Sequence, residues 1–350
     1  MRIRKEDITY LEEIYKNRIP FYGEMHDHAS TGGTSDGKQT LAHWIETLNL
    51  LNLDFAAILD HKQVRHMFLP EWKDGVFIGG SEAGTHIVNS FAATNNSLHY
   101  NCVFAKPEPF MEVLQSFEEF LFEGGKEGHF KYPTFTRERI VQLISAIKEK
   151  GGMFVHAHPT LVMKSENPLD YWFEDFTGFE VFYNDFRNQH TYNNYQLWVK
   201  LLALGKKVWA CAGGDGHDCC SDKAITTLYA ENRSSESYLK HYAKGDFVCG
   251  SVGIKMCIGD TMMGQECDFS GKKLIVCIND FHSSVLEKEH IYKMLLLDSK
   301  GGVLKRKLST DRPNYFIFDI DETSKFYRVE VFDSTSNLRI AISNPIWNNN

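Results

Sequence analysis

The stretch Phe21–Ser30, FYGEMHDHAS, decides the fold: an apolar approach closes on His26 and His28. Residues two apart on an extended strand share a face, so both imidazoles aim at one place. The same construction recurs as His156 and His158 in FVHAHP (154–159) and as Asp215 and His217 in GGDGHD (213–218). One such pair is weak evidence. Three, each closing an apolar run, imply three strands that direct metal-competent groups to a common point, and the spacing predicts a metal cluster.

Outward from these pairs the chain alternates strand and helix. A short helix with Ile8, Leu11 and Tyr15 on one face precedes the first pair. Thr40–Leu53 reads as an amphipathic helix with Leu41, Trp44, Ile45, Leu48 and Leu51 inward. It leads to DFAAILDHK (54–62) and then VFIGGSE (76–82), apolar strands ending at Asp60–His61 and at Glu82. Thr136 is placed to cap a helix carrying Ile140, Leu143, Ile144 and Ile147, with Gly151 beyond its end. FEVFYND (179–185), a helix around Tyr195–Leu204, and KKVWACAGGDGHD (206–218) complete the series. Apolar strands without strict alternation are those of a parallel sheet buried on both faces. Polar groups gather where each strand ends, as they do on the active face of a (β/α) barrel, which is therefore favoured over an open sheet.

From about residue 247 the pattern changes to strand-like runs such as KKLIVCIND (272–280), HIYKMLLLD (290–298) and KFYRVEVFD (325–333), separated by turn chemistry. The expected organisation is a barrel over 1–246 followed by a small antiparallel β-sandwich over 247–350. The sandwich carries no catalytic constellation.

Composition narrows the class. With 43% apolar and 13% aromatic residues the chain is globular, and a formal charge of −8 without a long basic run makes a nucleic-acid partner a poor expectation. No apolar stretch approaches the ~20 residues that cross a bilayer. The charged start MRIRKEDITYLEEIYKNR does not read as a signal peptide, so a cytoplasmic location is the default. The eight cysteines form no CxxC pair and lie mostly in apolar runs, as reduced thiols acting as small hydrophobes do.

The candidate ligands, in order, are His26, His28, Asp36, His61, Glu82, His99, His158, Asp215 and His217. An imidazole and carboxylate set suits Zn, Mn or Fe, and nine groups exceed what one ion can use. Two or three divalent ions bridged by a carboxylate such as Glu82 use them better. Asp60 is expected to orient its neighbours, and His156 to be a core or supporting histidine; His66, His86 and His190 carry no functional reading.

The succession GEMHDHAS, TSDGK, LDHK, GSE, LHYN, HAHP and GGDGHD resembles the PHP (polymerase and histidinol phosphatase) superfamily of metal-dependent hydrolases over roughly residues 20–220. KGDFVCGS (244–251) and RIAISNPIWN (339–348) resemble the two-domain branch that contains CehA/McbA-type hydrolases. The resemblance implies a distorted (β/α)7, TIM-like barrel with a trinuclear site. In it His26, His28, Glu82 and Asp215 would hold one ion, Glu82, His99 and His158 a second, and Asp36, His61 and His217 a third. Asp36 stands where several branches have a histidine, and Gly216 where a hydroxyl residue is common. His99 begins its apolar run, so only the resemblance places it.

A water activated between such ions is the expected nucleophile, with Glu82, Asp215 and His217 in the catalytic roles. Lys62, Arg65 and Arg187, each just after a predicted strand end, are the candidates for binding substrate oxygens. The leading expectation is a phosphoesterase on a small phosphorylated metabolite. The alternatives are a carbamate, amide or ester hydrolase of the CehA type, and a non-catalytic scaffold stabilised by metal. The aromatic stretch Lys106–Phe135 reads either as a lid on Gly124, Gly125 and Gly128 or as an outer helix followed by a loop.

Overall fold

The computed structural model describes residues 3–88, 95–117, 132–218 and 224–350, with Asn95 and Asn96 described by backbone alone. Seven of the described strands pair in succession in the first part: β1 (Ile19–Asp27), β2 (Phe55–Ile58), β3 (Phe77–Ile87), β4 (Asn95–Phe104), β5 (Met153–His156), β6 (Thr177–Tyr183) and β7 (Val208–Gly213). Pairing runs β1–β2–β3 in parallel, then β3–β4 and β4–β5 antiparallel, then β5–β6–β7 in parallel. Beyond β7 the chain meets β1 again at a parallel bridge between Asp27 and Gly216. There His28 N donates to Gly216 O at 2.8 Å and Gly216 N to His26 O at 3.3 Å. The pairings therefore return to their starting strand.

The direction of β4 departs from an all-parallel expectation and explains His99. Because β4 runs opposite to its neighbours, its beginning lies where the other strands end, and Gly84 on β3 stands across from His99. Glu82, expected to end its strand, is also interior: it is the sixth of the 11 residues of β3, which runs on to Ile87 in the hairpin with β4.

Helices α1 (Lys5–Ile14), α2 (Leu41–Leu51), α3 (Pro107–Ser116), α4 (Arg137–Glu149), the short α5 (Pro159–Val162), α6 (Gln189–Ala203) and α7 (Ser235–Tyr242) connect or flank the strands. Thr40, Thr136, Asn188 and Ser234 cap α2, α4, α6 and α7 by accepting a backbone N–H two or three residues on, which satisfies a donor the helix leaves orphaned. α6 starts earlier than its apolar residues indicate, since the polar run after Asn188 gives no periodic signal. Phe110 of α3 and Phe117 just past it are buried, as an outer helix packed by its aromatics requires. Phe120, Phe122, Phe130 and the three glycines of the suggested lid lie outside the described residues.

Strand β8 (Thr226–Ala230) lies antiparallel to β1, and β9 (Phe247–Gly250) continues from it. After these come β10 (Val252–Ile258), β11 (Lys273–Phe281), β12 (Tyr292–Asp298), β13 (Val303–Lys307), β14 (Asn314–Asp319), β15 (Phe326–Asp333) and β16 (Leu338–Ser343). They form two antiparallel sheets, β10–β11–β14 and β13–β12–β15–β16. A shared apolar core joins them, with Ile254, Met256 and Val276 from one sheet and Met294, Val329 and Val331 from the other. β9 also pairs with β16, so the second sheet is hydrogen-bonded to the first part of the chain. The N-terminal helix α1 crosses in the opposite sense: its Leu11, with Tyr15 just past it, packs on Cys257, Ile275, Cys277 and Ile317. The six described cysteines are buried free thiols. No helix among the described residues is long and apolar enough to cross a membrane.

Candidate metal centre

Nine side chains converge from the ends of β1, β2, β5 and β7, the loops that follow them, and the middles of β3 and β4. Glu82 is at the middle. Its Oε1 lies 2.9 Å from His158 Nε2 and 3.1 Å from His99 Nδ1. Its Oε2 lies 3.3 Å from His26 Nε2, 3.3 Å from His28 Nε2 and 3.4 Å from His61 Nδ1. Asp215 Oδ1 closes on His28 Nε2 at 3.2 Å and His26 Nε2 at 3.6 Å. Asp36 Oδ1 meets His217 Nε2 at 3.1 Å and His61 Nε2 at 3.4 Å. Three sets have ligand atoms within 4.8 Å of one another: His26, His28, Glu82 and Asp215; Glu82, His99 and His158; and His28, Asp36, His61 and His217.

Whether these sets suit ions can be judged from the buried nitrogens. His26 Nε2 and both nitrogens of His28 are buried and have no hydrogen-bond partner among the described residues. Carboxylate oxygens stand 3.2–3.6 Å away without forming hydrogen bonds to them. Two ligands of one tetrahedral ion with bonds of ~2.0–2.2 Å stand roughly 3.4 Å apart, so this spacing is that of co-ligands. The residues present fit divalent ions.

Electrostatics agree. Burial by itself would lower the pKa of His26, yet the carboxylates of Glu180, Glu82 and Asp215 outweigh it and hold that pKa well above the usual imidazole value. For His28 burial again opposes, and the facing Asp215 and Glu82 push its pKa up to about 10. Burial would raise Glu82, Asp215 and Asp36, while the surrounding imidazoles hold all three below the usual carboxylate range. In a protein without ions, protons take the position of the cations.

Local structure explains each placement. His26 ends β1 and His28 follows it, fixed by the bridge to Gly216. Asp60, fully buried, accepts from Ala29 N at 2.8 Å and Ser35 Oγ at 3.1 Å, also from Thr31 Oγ1, and pairs with His66 Nδ1 at 3.2 Å. It thereby orders the loop that carries Asp36, the orienting role expected of it. Lys38 N donates to His217 O at 2.8 Å and ties that loop to the one after β7. His217 Nδ1 donates to the Asp215 carbonyl at 2.8 Å, leaving Nε2 for the cluster. The cluster opens on one side: side-chain exposure is 38% at Asp36 and 30% at His217 but zero at His26 and His28.

The second histidine pair divides. His158 has φ 26°, outside the extended region, and turns to Glu82. His156 packs among Tyr171, Phe173 and Phe179, with Nδ1 donating to Tyr171 O at 3.2 Å. Burial lowers its pKa to about 3.

Of the candidate cations, only Lys62 borders the cluster. It follows His61, donates its backbone N to Glu82 O at 3.0 Å and holds Nζ 5.2 Å above the Tyr132 ring. Its pKa is lowered by burial to about 8. Arg65 is exposed on the next short helical turn. Arg187 is exposed and lines a separate cleft with Ser284, Glu287, Asp333 and Ser336 of the C-terminal part. Glu180 and Tyr183 were not foreseen, whereas Tyr132 belongs to the aromatic stretch that the lid reading placed over the site. Glu180 Oε1 lies 3.0 Å from His26 Nδ1 and its Oε2 accepts from His158 N at 2.6 Å. Tyr183 OH donates to Asp215 Oδ2 at 3.1 Å, and the Tyr132 ring lies 5.1 Å from that of His99. A lone glutamate inside the apolar run FEVFY was a readable signal for Glu180; nothing in the sequence marks Tyr183.

No protein-family model matches the chain, and no curated protein does. Among solved structures, one match is a protein from Bifidobacterium adolescentis provisionally described as a metal-dependent phosphoesterase. It is 17% identical with a TM-score of 0.36, over 57% of this chain and 88% of that one. Another is an amidohydrolase from Chromobacterium violaceum with bound sulfate and no metal, 16% identical with a TM-score of 0.36, over 57% of this chain and 89% of that one. At that score the likeness bears on neither fold nor chemistry. The ligand geometry has to stand alone.

Proposed function

We propose that the chain is a metal-dependent hydrolase of the PHP type, with a distorted seven-stranded barrel, a C-terminal β-sandwich from about residue 247, and a phosphoester as substrate. The observation that carries this reading is the convergence of nine imidazole and carboxylate groups into three overlapping sets, two of which share the two oxygens of Glu82. When bound, divalent ions such as Zn, Mn or Fe supply Lewis acidity and an activated water at neutral pH. The protein's own residues do the rest. Glu82 and Asp215 set the spacing of the sites, and the Asp36–His217 side leaves the approach open to a small molecule. Lys62, largely protonated at pH 7 with a pKa of about 8, offers a cation to a phosphate oxygen.

A second reading, hydrolysis of a carbamate, amide or ester, is favoured by the scarcity of cations at the cluster among the described residues and by the aromatic rim of Tyr132 and Tyr183. Metal analysis of the purified protein, followed by assays on p-nitrophenyl phosphate, bis-p-nitrophenyl phosphate and p-nitrophenyl acetate with Mn or Zn, separates the readings. Phosphoester turnover with bound ions supports the first; turnover of the acetate alone replaces it with the second. Protein that takes up no ion defeats both.

A further inference from the structure

Strand β6 contains an irregularity with consequences for the site. Against β7, Glu180 pairs with Cys211 and Phe182 with Ala212, so Val181 is an extra residue on β6. In a regular strand, residues three apart face opposite sides. A bulge resets that alternation and re-aims side chains, often beside active sites. Here Glu180 and Tyr183, three apart, both reach the ligand cluster: Glu180 to His26 and His158, Tyr183 to Asp215. Phe182 between them turns away and packs on Phe186 at 5.0 Å between ring centroids. The neighbouring strand makes room: a Cβ at Gly213 would stand 2.1 Å from Glu180 Oε1 and 2.7 Å from His26 Cβ. The Glu180 carboxylate occupies the space that a side chain at 213 would need.

Resting on the metal-centre reading above, we propose that Glu180 and Tyr183 are positioning residues for the ions, delivered together by the bulge. Glu180 accepts from His26 Nδ1 and so turns Nε2 toward the first set; the same carboxylate holds the backbone of His158 at its unusual φ. Tyr183 divides the oxygens of Asp215. It donates to Oδ2, which otherwise stands 4.0 Å from His158 Nε2, and leaves Oδ1 alone facing His26 and His28. Asp215 would thereby offer the first set a single oxygen.

The test compares wild type with Tyr183→Phe and Glu180→Gln, both close in shape to the residues they replace, with circular dichroism to establish folding. Mn affinity is measured by competition with a chelator and coordination by the visible spectrum of the Co-substituted protein. Loss of the Tyr183 hydroxyl frees Asp215 Oδ2 to ligate, so the coordination number rises and the Co absorption weakens. Glu180→Gln lowers Mn affinity about 10–100-fold, the usual cost of losing a partner of a ligand. Wild-type spectrum and affinity in both folded variants would overturn the assignment while leaving the metal centre intact. Failure of the wild type itself to bind Mn or Co overturns the metal centre and this assignment with it.

Discussion

Two parts of this molecule bury charge, and they treat it differently. In the C-terminal sheets, Glu330 is fully buried, yet Arg328 pairs with its Oε1, Arg339 Nε lies 2.9 Å from Oε2, and Tyr195 OH donates to Oε1 at 2.7 Å. The Arg328 guanidinium also lies 5.0 Å above the Trp198 ring. Opposite charges meet and close on one another, with Arg328 Nε left without a hydrogen-bond partner among the described residues. In the cluster of the first part, His26, His28 and Glu82 are buried just as deeply; His158 and His99 hydrogen-bond Glu82 Oε1, but His26 Nε2 and the His28 nitrogens have no hydrogen-bond partner among the described residues. Equal burial with unequal pairing separates a structural ion network from a site built to receive cations.

The sharpest way to break the comparison is Glu330→Ala. It strands Arg328 in the interior and should cost about 3–5 kcal/mol by urea unfolding, without altering metal uptake. If metal uptake falls as well, the two regions are not independent. Next comes Glu82→Ala. Ions at 100 times their Kd should stabilise the wild type by about 2.7 kcal/mol per site and the variant by no more than the one set that lacks Glu82, read as the metal-dependent rise in Tm. After chelation the pH dependence turns over: His28, with its pKa raised to about 10, stabilises the fold fully below pH ~6.5 and less as pH rises toward 10. Ions reverse that slope, because protons compete with them for the same nitrogens.

His156 gives the smallest and cleanest test. It is a buried imidazole outside the cluster with its pKa lowered to about 3. A lowered histidine pKa supports folding above ~6.5 and withdraws that support as pH falls, by up to about 1.4 kcal/mol per pH unit. His156→Leu should flatten the stability profile between pH 6.5 and 5 and leave ion binding unchanged. Loss of ion binding would place His156 with the ligands after all.

Much of the site was legible because strand period is local. His26, His28, Glu82 and Asp215 announce themselves by ending apolar runs, and the structure brings them together within one set. His99 was not placed by that logic, since its strand runs the other way. The pair His156 and His158 looked like the pair His26 and His28, but the chain leaves the extended conformation at His158 and the two imidazoles part. Glu180 and Tyr183 depend on a bulge that only pairing with β7 reveals. Arg187 sits after a strand end as expected but lines a cleft against the C-terminal part, because the loop beyond β6 turns that way.

By itself the sequence determined which groups could bind ions and where strands and helices alternate. Those are matters of side-chain chemistry and short-range periodicity. Tertiary structure alone decided the direction of β4, the return of the pairings to β1 at Gly216, the bulge that delivers Glu180 and Tyr183, and the packing of α1 on a sheet formed some 240 residues later. Each of these depends on hydrogen bonds and apolar contacts between segments far apart in the chain, and no local pattern encodes them.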